Sequence, residues 1–476
     1  MNIWHKMNQK QSVNFYKQKD SHLIPSLTTK DFLALGLGTI VSTAIFTLPG
    51  IVAADHTGPA VVLSFISAAI VAGLVSFNYA EVSSTLPFDG SAYSWVSVIF
   101  GKFWGWIVGW ALIAEYFIAV AFTASGLSAN FRGLVAPFGF KLPNQLSNPF
   151  GTNGGLIDII ALAVILIVAF LIYHGNHDTS RVENTLVVLK VIAILAFVLI
   201  GATALHLQNY IPFIPKYRPT ANGAFGGWQG IYAGVPQIFV SYIGFDAIAA
   251  NSAEAKDPKK TMPRGIIGSL LIGAALYTCV SLILVGMFKY SRYANNAEPV
   301  GFALRESGHS VAATIIQAIA VMGIFTALIA MTLGGSRLIY SFGRDHMLPK
   351  WLGTLNHQSH LPNHALLTLT IISVVLGAIC PFAFLAQLVS AGTLVAFMFV
   401  SLSVLKLRKH EGKDLPSPAF KVPFYPVLPI LSFLFSLGVF VGLDKPAKIY
   451  AAIWFIIGII IYFVYGIKHG YQNADN

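Results

Sequence analysis

The amino-acid sequence predicts an all-α membrane protein with twelve transmembrane helices. Its 476 residues are 55% hydrophobic and only 10% charged, with a mean hydropathy of +0.70, whereas soluble domains carry about 25% charged residues. The charges fall in short clusters between apolar runs of about 20 residues, the length that crosses about 30 Å of hydrocarbon as a helix. These runs are continuous rather than alternating in polarity, which favours helices over a β-barrel.

Apolar runs separated by polar residues give the predicted spans. The first six cover 32–54, 58–80, 103–129, 156–173, 184–206 and 229–252. The other six cover 264–288, 310–338, 363–381, 384–405, 424–443 and 447–467. Together they predict one transmembrane domain over 31–468, with an N-terminal tail of residues 1–30 and a C-terminal tail of residues 469–476.

The distribution of lysine and arginine predicts that both tails are cytoplasmic. Twelve spans place the two termini on the same side of the membrane, and cytoplasmic segments carry an excess of these residues. With cytoplasmic termini, 21 of the 30 lysines and arginines lie in or beside inner segments. The outer ones are Arg132, Lys141, Lys216, Arg218, Lys289, Arg292, Arg305, Lys445 and Lys448. The predicted location is the cell membrane.

Charge and cysteine usage argue against several other classes of protein. The net charge of +11 does not indicate a nucleic-acid partner, because no soluble basic domain exists to carry such a surface. Cys279 and Cys380 lie far apart inside apolar runs, so the sequence predicts no metal site, disulfide framework or cofactor. The segment that begins at His410 lacks the second histidine of a zinc motif, and no phosphate-binding loop occurs, so no enzyme is predicted.

Two spans are predicted to be broken near the middle of the membrane. Within span one, Gly36–Gly50 has glycines, hydroxyls and a proline where a plain span has leucine and isoleucine. Span six has glycine and polar residues within Gln237–Asp246. With Thr43 and Ile243 as the centres of the breaks, the offset is 200 residues, which corresponds to five spans.

Five is an odd number, so the second group of five spans would enter the membrane from the opposite side. The predicted fold is therefore an inverted five-plus-five repeat, over 32–206 and 229–405, with two extra helices over 424–467. Broken helices at matching positions of inverted repeats indicate a transporter binding site. Each break frees N–H groups that favour a carboxylate and C=O groups that accept from an ammonium. The alternative is that small residues in span one only allow close helix packing.

Short motifs follow one another in order from span one to span eight. They are the span-one run, Tyr79-Ala-Glu-Val, Gly90-Ser-Ala-Tyr-Ser-Trp95, Gly109-Trp-Ala-Leu-Ile-Ala-Glu-Tyr116, Tyr242-Ile-Gly-Phe-Asp246, Ala253-Glu254, Asp257-Pro258, Gly335-Ser-Arg337, Arg344-Asp345 and Leu348-Pro349. In these motifs the chain resembles the amino acid–polyamine–organocation superfamily, in its cationic amino acid transporter branch. Ser42-Thr43 and Ala249–Ala255 most resemble the branched-chain amino acid permeases of Gram-positive bacteria.

The resemblance implies the LeuT-like inverted-repeat fold and uptake of an amino acid driven by an ion gradient. Around the first break, it implies that N–H groups of Thr43, Ala44 and Ile45 meet the substrate carboxylate. It also implies that the ammonium meets backbone carbonyls, namely those of Ile40, Val240, Ser241 and Ile243. Where the family commonly has glycine, Ser42 and Ala44 carry side chains, so we expect a narrower pocket floor with a less free backbone.

Ionisable residues inside the membrane are costly and indicate function. By resemblance, Lys190 takes the place of a lysine whose ammonium substitutes for a sodium ion in proton-coupled relatives. Alternatively, its ammonium extends to the inner surface of the membrane. Glu115 and Asp246 either relay a proton or stabilise a neighbouring helix end, and Glu183 has a solvated position at the inner end of span five.

Two aromatic residues beside the second break, Tyr242 and Phe245, are candidates for closing over a substrate, or else packed core residues. The sequence therefore predicts a permease that imports neutral branched-chain amino acids with protons, across a lipid bilayer. A cationic amino acid or polyamine carrier, including an exchanger, is the alternative, because Glu115 and Asp246 could pair with a cation. A membrane sensor or channel is the alternative of another class. The sequence does not indicate an oligomeric state.

Overall fold

The computed structural model describes residues 7–19, 25–88, 90–140, 142–174, 180–220, 223–356 and 361–469. In the first half of the chain, the α-helices are α1 Val13–Lys19, α2 Thr29–Ile40, α3 Thr43–Val52, α4 Val61–Thr85, α5 Ser91–Ile99, α6 Lys102–Val135, α7 Asn144–Ser147, α8 Ile159–Tyr173, α9 Ser180–Thr203 and α10 Gly227–Phe239. They are followed by α11 Phe245–Ala250, α12 Pro258–Met287, α13 Pro299–Glu306, α14 Ser310–Arg344, α15 Asn363–Ile379, α16 Phe382–Lys409, α17 Val427–Val441, α18 Lys445–Ile461 and α19 Ile467–His469.

Shorter elements connect these helices. The 3-10 turns are Gly58–Ala60, Ala136–Phe138, Leu207–Tyr210, Val240–Tyr242, Ser252–Glu254, Tyr290–Tyr293 and Lys350–Gly353, and the π-helical turns are Ala53–Thr57 and Tyr462–Gly466. Strands β1 Arg218–Thr220 and β2 Gly223–Phe225 form an antiparallel pair in which Arg218 lies opposite Phe225.

Helical segments long and apolar enough to cross a membrane dominate the described part of the chain. Eight such segments are Thr43–Thr85, Lys102–Phe138, Thr185–Thr203, Gly227–Ala250, Pro258–Met287, Ser310–Arg344, Phe382–Lys409 and Lys445–His469. Three shorter apolar helices, α8, α15 and α17, lie between them. The prediction of a helical membrane protein is confirmed at this level, and the short β1–β2 pair is an addition to the predicted all-α fold.

Three predicted span ends were wrong by six residues. The long helix α6 continues to Val135 rather than 129, α12 begins at Pro258 rather than 264, and α14 continues to Arg344 rather than 338. A hydropathy criterion ends a span at the first charged residues. The backbone hydrogen bonds of a helix do not end there, so these helices extend beyond the apolar run.

The helices of span one and span six are both interrupted. Between α2 and α3, Val41 and Ser42 leave the helical conformation, with φ/ψ of −85°/70° and −112°/−145°. Between α10 and α11, a 3-10 turn is followed by Ile243 in an extended conformation and by Gly244 at φ 132°. A Cβ atom at Gly244 would lie 2.8 Å from the Cβ of Thr39. Glycine is thus required there both by its backbone conformation and by the approach of α2.

One end of the helix bundle, which we call the N-terminal face, carries residues 7–19. The Nζ of Lys102 donates to Gln9 at 3.1 Å, and the backbone N–H of Gln11 donates to Ser97 at 3.2 Å. Tyr16 is buried and stacks on Phe88, with ring centroids 5.3 Å apart. Since the long helix α6 begins at this face, its other end, at Val135, lies at the opposite face, which we call the far face.

A buried ion pair joins α4 to the end of α16 near the N-terminal face. Arg408 donates from Nε and Nη2 to the two carboxylate oxygens of Glu81, at 2.5 and 2.7 Å. Glu81 has no exposed surface and also accepts from the backbone N–H of Val422 at 2.6 Å. The bidentate geometry and the third donor satisfy a carboxylate that would otherwise be costly to bury.

Candidate binding site at the two helix breaks

The first half of the site is the start of α3. Thr43, Ala44 and Ile45 are its first three residues and are buried. The N–H groups at the start of a helix have no partner within the helix, and Ser42, at the capping position, makes no side-chain capping hydrogen bond in the described structure. The helix dipole adds partial positive charge at the same point. This helix start therefore has the donors and the electrostatic sign that suit a carboxylate.

The carbonyl groups released at the end of α2 are largely occupied. Lys190 on α9 donates from Nζ to the carbonyl oxygens of Gly38 and Val41, at 2.9 Å each. Its side chain is 1% exposed, so the ammonium lies at the helix break rather than at the membrane surface. The stem of the lysine passes Gly323 on α14, where an added Cβ would lie 2.7 Å from the lysine Cγ. Lys190 thus links α9 to the first break and packs on span eight.

The carbonyl of Ile40, one of the predicted ammonium ligands, also has partners. It accepts from the hydroxyl of Tyr277 on α12 at 2.9 Å and from the backbone N–H of Ser42 at 3.0 Å. A carbonyl oxygen has two lone pairs, so this carbonyl has little capacity left for a ligand. The first break is accordingly better suited to a carboxylate than to an ammonium.

The second half of the site is the interruption between α10 and α11. Val240, Ser241 and Ile243 lie in it and are buried. The carbonyl of Val240 accepts from the N–H of Ile243 at 3.3 Å. The hydroxyl of Thr39 on α2 lies 3.1 Å from the carbonyl oxygen of Gly244 and 3.0 Å from those of Leu35 and Gly36 in its own helix, so three carbonyls share its one proton. The contact with Gly244 joins residues 205 positions apart and places the two breaks against each other.

Two carboxyl groups lie side by side next to the second break. Asp246 accepts from the backbone N–H of Gly244 through Oδ1 at 2.9 Å. Its side chain interacts with that of Glu115 on α6, which also contacts the hydroxyl of Thr393 on α16. The two residues are 8% and 4% exposed. The structure therefore brings together two of the three predicted proton-coupling residues, while Lys190 lies at the first break.

Aromatic rings surround the second break. Phe245 lies between Phe397, in a stacked arrangement at 5.2 Å, and Tyr79, edge-on at 5.4 Å. The hydroxyl of Tyr242 donates to the backbone carbonyl of Phe65 at 2.9 Å, and its ring contacts that of Tyr277. Both predicted aromatic residues are fully buried in packed clusters.

Sequence reasoning missed three residues that shape the site. Thr39, Tyr277 and Gly323 hold the end of α2 or make room for Lys190. An isolated tyrosine within the apolar run of span seven was the available signal for Tyr277. The partners of these residues lie far away in sequence, so spacing alone could not identify them. The side chain of Glu183, predicted to be solvated, lies outside the described residues.

Sequence comparison with known proteins assigns the chain to a family. Residues 27–467 match the sequence profile of the family described as amino acid permease. The chain is 58% identical over 458 residues to the branched-chain amino acid permease BcaP of Lactococcus lactis subsp. cremoris, covering 96% of this chain and 98% of that protein. It is 34% identical to the methylthioribose transporter of Bacillus subtilis, covering 96% of each. It is 31% identical to the vacuolar cationic amino acid transporter 4 of Arabidopsis thaliana, covering 87% of this chain and 69% of that protein.

The family match covers nearly all of the described helices and both helix breaks. Together with the apolar helical segments, it identifies a multi-pass membrane protein and a transporter rather than an enzyme. The chain belongs to the amino acid permease family.

Proposed function

We propose that this permease imports neutral branched-chain amino acids by proton symport across the cell membrane. The observation that carries the proposal is the uncapped start of α3, which presents three buried N–H groups beside a second helix break. An α-amino acid needs a carboxylate receptor and an ammonium receptor a few ångströms apart. Two helix breaks held together by Thr39 and Gly244 supply both.

The proposed architecture has twelve spans in two inverted repeats, with cytoplasmic termini. The eight long segments and three shorter helices support it, because the segment Thr43–Thr85 covers parts of two spans. Gly58, at φ 62° and ψ −144°, interrupts that segment. The spacing of the two breaks supports the inverted repeat, and the lysine and arginine distribution supports the orientation. On this orientation the N-terminal face is cytoplasmic and the far face is outside.

In the proposed binding mode, the two breaks divide the recognition of the substrate. The N–H groups of Thr43, Ala44 and Ile45 bind the carboxylate, with Ser42 at the capping position. The ammonium binds carbonyls of the second break, such as those of Ser241 and Ile243, because the first-break carbonyls are occupied by Lys190 and Tyr277. In this binding mode the carbonyl of Ile40 does not contact the ammonium, and Ile40 only forms part of the first break.

The apolar surroundings support a neutral aliphatic substrate. Ile45, Val240, Tyr242, Ile243 and Phe245 are buried around the breaks, and the Lactococcus relative bears the name of a branched-chain amino acid permease. Glu115 and Asp246 are the feature that would favour a cationic substrate. Because they interact with each other, we assign them to the proton instead.

Protons are the proposed coupling ion, and the buried ionisable groups would carry them. Two carboxyl groups in contact cannot both be ionised without a large cost, so Glu115 and Asp246 would hold one proton between them. The protonated Lys190 bridges the first break to α9 and packs on α14. Its deprotonation would release that bridge and let the two repeats move relative to each other.

Uptake into proteoliposomes tests this function. Labelled leucine should accumulate under an imposed inward pH gradient without sodium, and isoleucine and valine should inhibit uptake more strongly than lysine, arginine or methylthioribose. Leucine amide and decarboxylated amines should compete poorly, because they lack the carboxylate that the start of α3 binds. Effective competition by such amines would indicate an amine carrier, and strong inhibition by arginine but not valine would reverse the substrate assignment.

Variants of the lysine test the coupling. Lys190→Ala should abolish pH-driven accumulation while leucine binding remains measurable, and Lys190→Arg should also fail because a guanidinium does not release its proton. Uptake that requires sodium and ignores the pH gradient would contradict proton symport. A Lys190→Ala protein that still concentrates leucine on a pH gradient would remove Lys190 from the mechanism.

A further inference from the structure

We propose that a cavity at the far face is a second, outer binding site for the same neutral amino acids. The inference deepens the proposed function and rests on it, since it concerns the path by which the substrate reaches the helix breaks. The cavity has a volume of about 520 Å³ and lies between the end of α6, the segment around α7 and the loop before α13. That volume is within the range of ligand sites, about 300–1,000 Å³.

The lining of the cavity is polar and rich in side-chain amides. Five asparagines contribute to it, among them Asn144, Asn148 and Asn153 from the segment around α7. The loop before α13 contributes Asn295, whose backbone carbonyl accepts from Asn153 at 3.4 Å. Amide groups donate and accept hydrogen bonds. They can therefore replace the water around both ends of a zwitterion.

Arg132 supplies an anion-binding group at the cavity wall. It belongs to the cavity lining, and its hydrogen bonds to Ser147 and Asn148, within the described residues, both use Nη1. A guanidinium has five N–H donors, so Nη2 and Nε still have donors for a carboxylate. Arginine is well suited to this role, because its planar fork matches the two carboxylate oxygens.

The charges of the cavity favour neutral over cationic amino acids. The charged side chains among its described lining residues are Arg132, Arg292 and Glu298. Glu298 is already engaged by Arg305 and by the amide of Gln317, the latter at 2.6 Å. Arg292 is paired with Glu306 at 2.7 Å, so Arg132 is the lining guanidinium without an ion-pair partner among the described residues, and it would repel a lysine or arginine side chain. A zwitterion with an apolar side chain is not subject to this repulsion.

The cavity and the first break are both lined by α6, about two helical turns apart. Gly126 on α6 contacts the start of α3, since an added Cβ would lie 2.7 Å from the Cβ of Thr43. Gly133 is seven residues, or about 10 Å, further along the same face of α6. There an added Cβ would lie 2.5 Å from Gln317 Nε2 and 2.6 Å from Glu298 Cδ. Glu298 therefore forms the cavity wall beside Gly133, with Gln317 hydrogen-bonded to it, about two turns of α6 from the first break.

Photolabelling of the full-length protein in nanodiscs tests the proposal. The probe is a leucine analogue with a diazirine on its side chain, and labelled peptides are identified by mass spectrometry. In the wild-type protein we expect labelling both within 237–246, at the central site, and within 142–153 or 292–298, at the outer site. Excess leucine should suppress both labels, and excess lysine should leave the outer label unchanged.

Two variants assign the outer label to the cavity. Arg132→Gln should weaken outer labelling about tenfold, which corresponds to about 1.4 kcal/mol, with central labelling retained as evidence of folding. Asn144→Trp, at an exposed position of the lining, should fill the cavity and have the same effect. Lys289→Gln removes a charge from an exposed residue of the neighbouring loop and should change neither label.

The outcomes distinguish a failure of the outer site from a failure of the proposed function. Labelling confined to 237–246 at all concentrations, or an outer label that excess leucine does not suppress, would overturn the outer site while leaving the proposed function intact. An outer label that survives both Arg132→Gln and Asn144→Trp would also overturn it. A protein in which leucine suppresses no label at all would contradict the proposed function itself.

Discussion

A single methyl group at Gly323 should uncouple the permease from the proton gradient. Gly323 lies on α14 and faces the stem of Lys190, whose ammonium binds the carbonyls of Gly38 and Val41. In Gly323→Ala the new Cβ would lie 2.7 Å from the lysine Cγ and 3.2 Å from Cε, with Cδ nearer than either. Carbon atoms pack favourably at about 3.5–4.0 Å, so the stem must move by about 1 Å.

A stem displaced by that much would carry the ammonium out of hydrogen-bond distance of Gly38 and Val41. The two Nζ–O distances are 2.9 Å, and an extra ångström takes them beyond the range of about 2.7–3.2 Å in which such bonds form. A hydrogen bond to a charged group contributes about 1.5–3 kcal/mol. Loss of these two bonds would weaken the link between α9 and the first break by several kcal/mol.

The assay is leucine uptake into proteoliposomes with and without an inward pH gradient, together with equilibrium leucine binding. Gly323→Ala should lose pH-driven accumulation, as we expect for Lys190→Ala, while it still binds leucine. Gly73→Ala on α4 is the matched control, because an added Cβ there meets nothing within 4 Å. Full pH-driven accumulation by Gly323→Ala would refute the argument that the position of the ammonium sets the coupling.

Three further predictions concern stability and affinity. Glu81→Gln should lower the melting temperature, because it leaves the partly buried Arg408 without its counter-ion, at a cost below the roughly 3–5 kcal/mol of a fully buried pair, and the double variant with Arg408→Met should recover part of the loss. Burial raises the pKa of Glu298 to about 7 against the effect of its arginine partner, so the stability it contributes is complete below about pH 4.5 and is lost as the pH rises through about 7. The melting temperature should therefore fall between pH 5 and pH 8 less in Glu298→Gln than in the wild type, whereas the exposed Glu306→Gln should leave that fall unchanged. Gly126→Ala should weaken leucine binding about tenfold, as measured by equilibrium binding, because overpacking against the first residue of α3 costs about 1–3 kcal/mol.

The breaks could be predicted from the sequence because their cause is local. Glycine, proline and hydroxyl residues inside an apolar run weaken the helix wherever they occur, and Val41 and Gly244 indeed lie in interruptions. The depth of Lys190 in span five could also be predicted, because it follows from counting residues from the start of the span. The span ends at Val135 and Arg344 could not, because continuation of a helix past charged residues depends on packing at the membrane surface.

The partners of the site residues could not be predicted from spacing. Lys190 and Gly38 are 152 residues apart, and Tyr277 and Ile40 are 237 residues apart. The assignment of Ile40 to the ammonium followed from the resemblance. It omitted the competing hydroxyl of Tyr277, because one sequence does not show which helices meet at the break.

The hydrogen bonds at the end of α2 indicate which parts of the proposed transport cycle move together. Three donors lie at this end: Lys190 binds it to α9, Tyr277 binds it to α12, and its own Thr39 contacts Gly244 in the second break. Among these donors only the lysine carries a charge, and exclusion of water favours the neutral form of an amine as it does that of a phenol, so the lysine is the donor that we expect to lose its proton. Loss of the proton from Lys190 would therefore release α9 while α2 stays joined to the second break.

On this mechanism the two breaks move as one unit. Distances between spin labels should therefore change with pH between α2 and α9 but not between α2 and α11. A pH-dependent change in the α2–α11 distance would show that the breaks separate, and the carboxylate and ammonium receptors would then not stay together through the cycle.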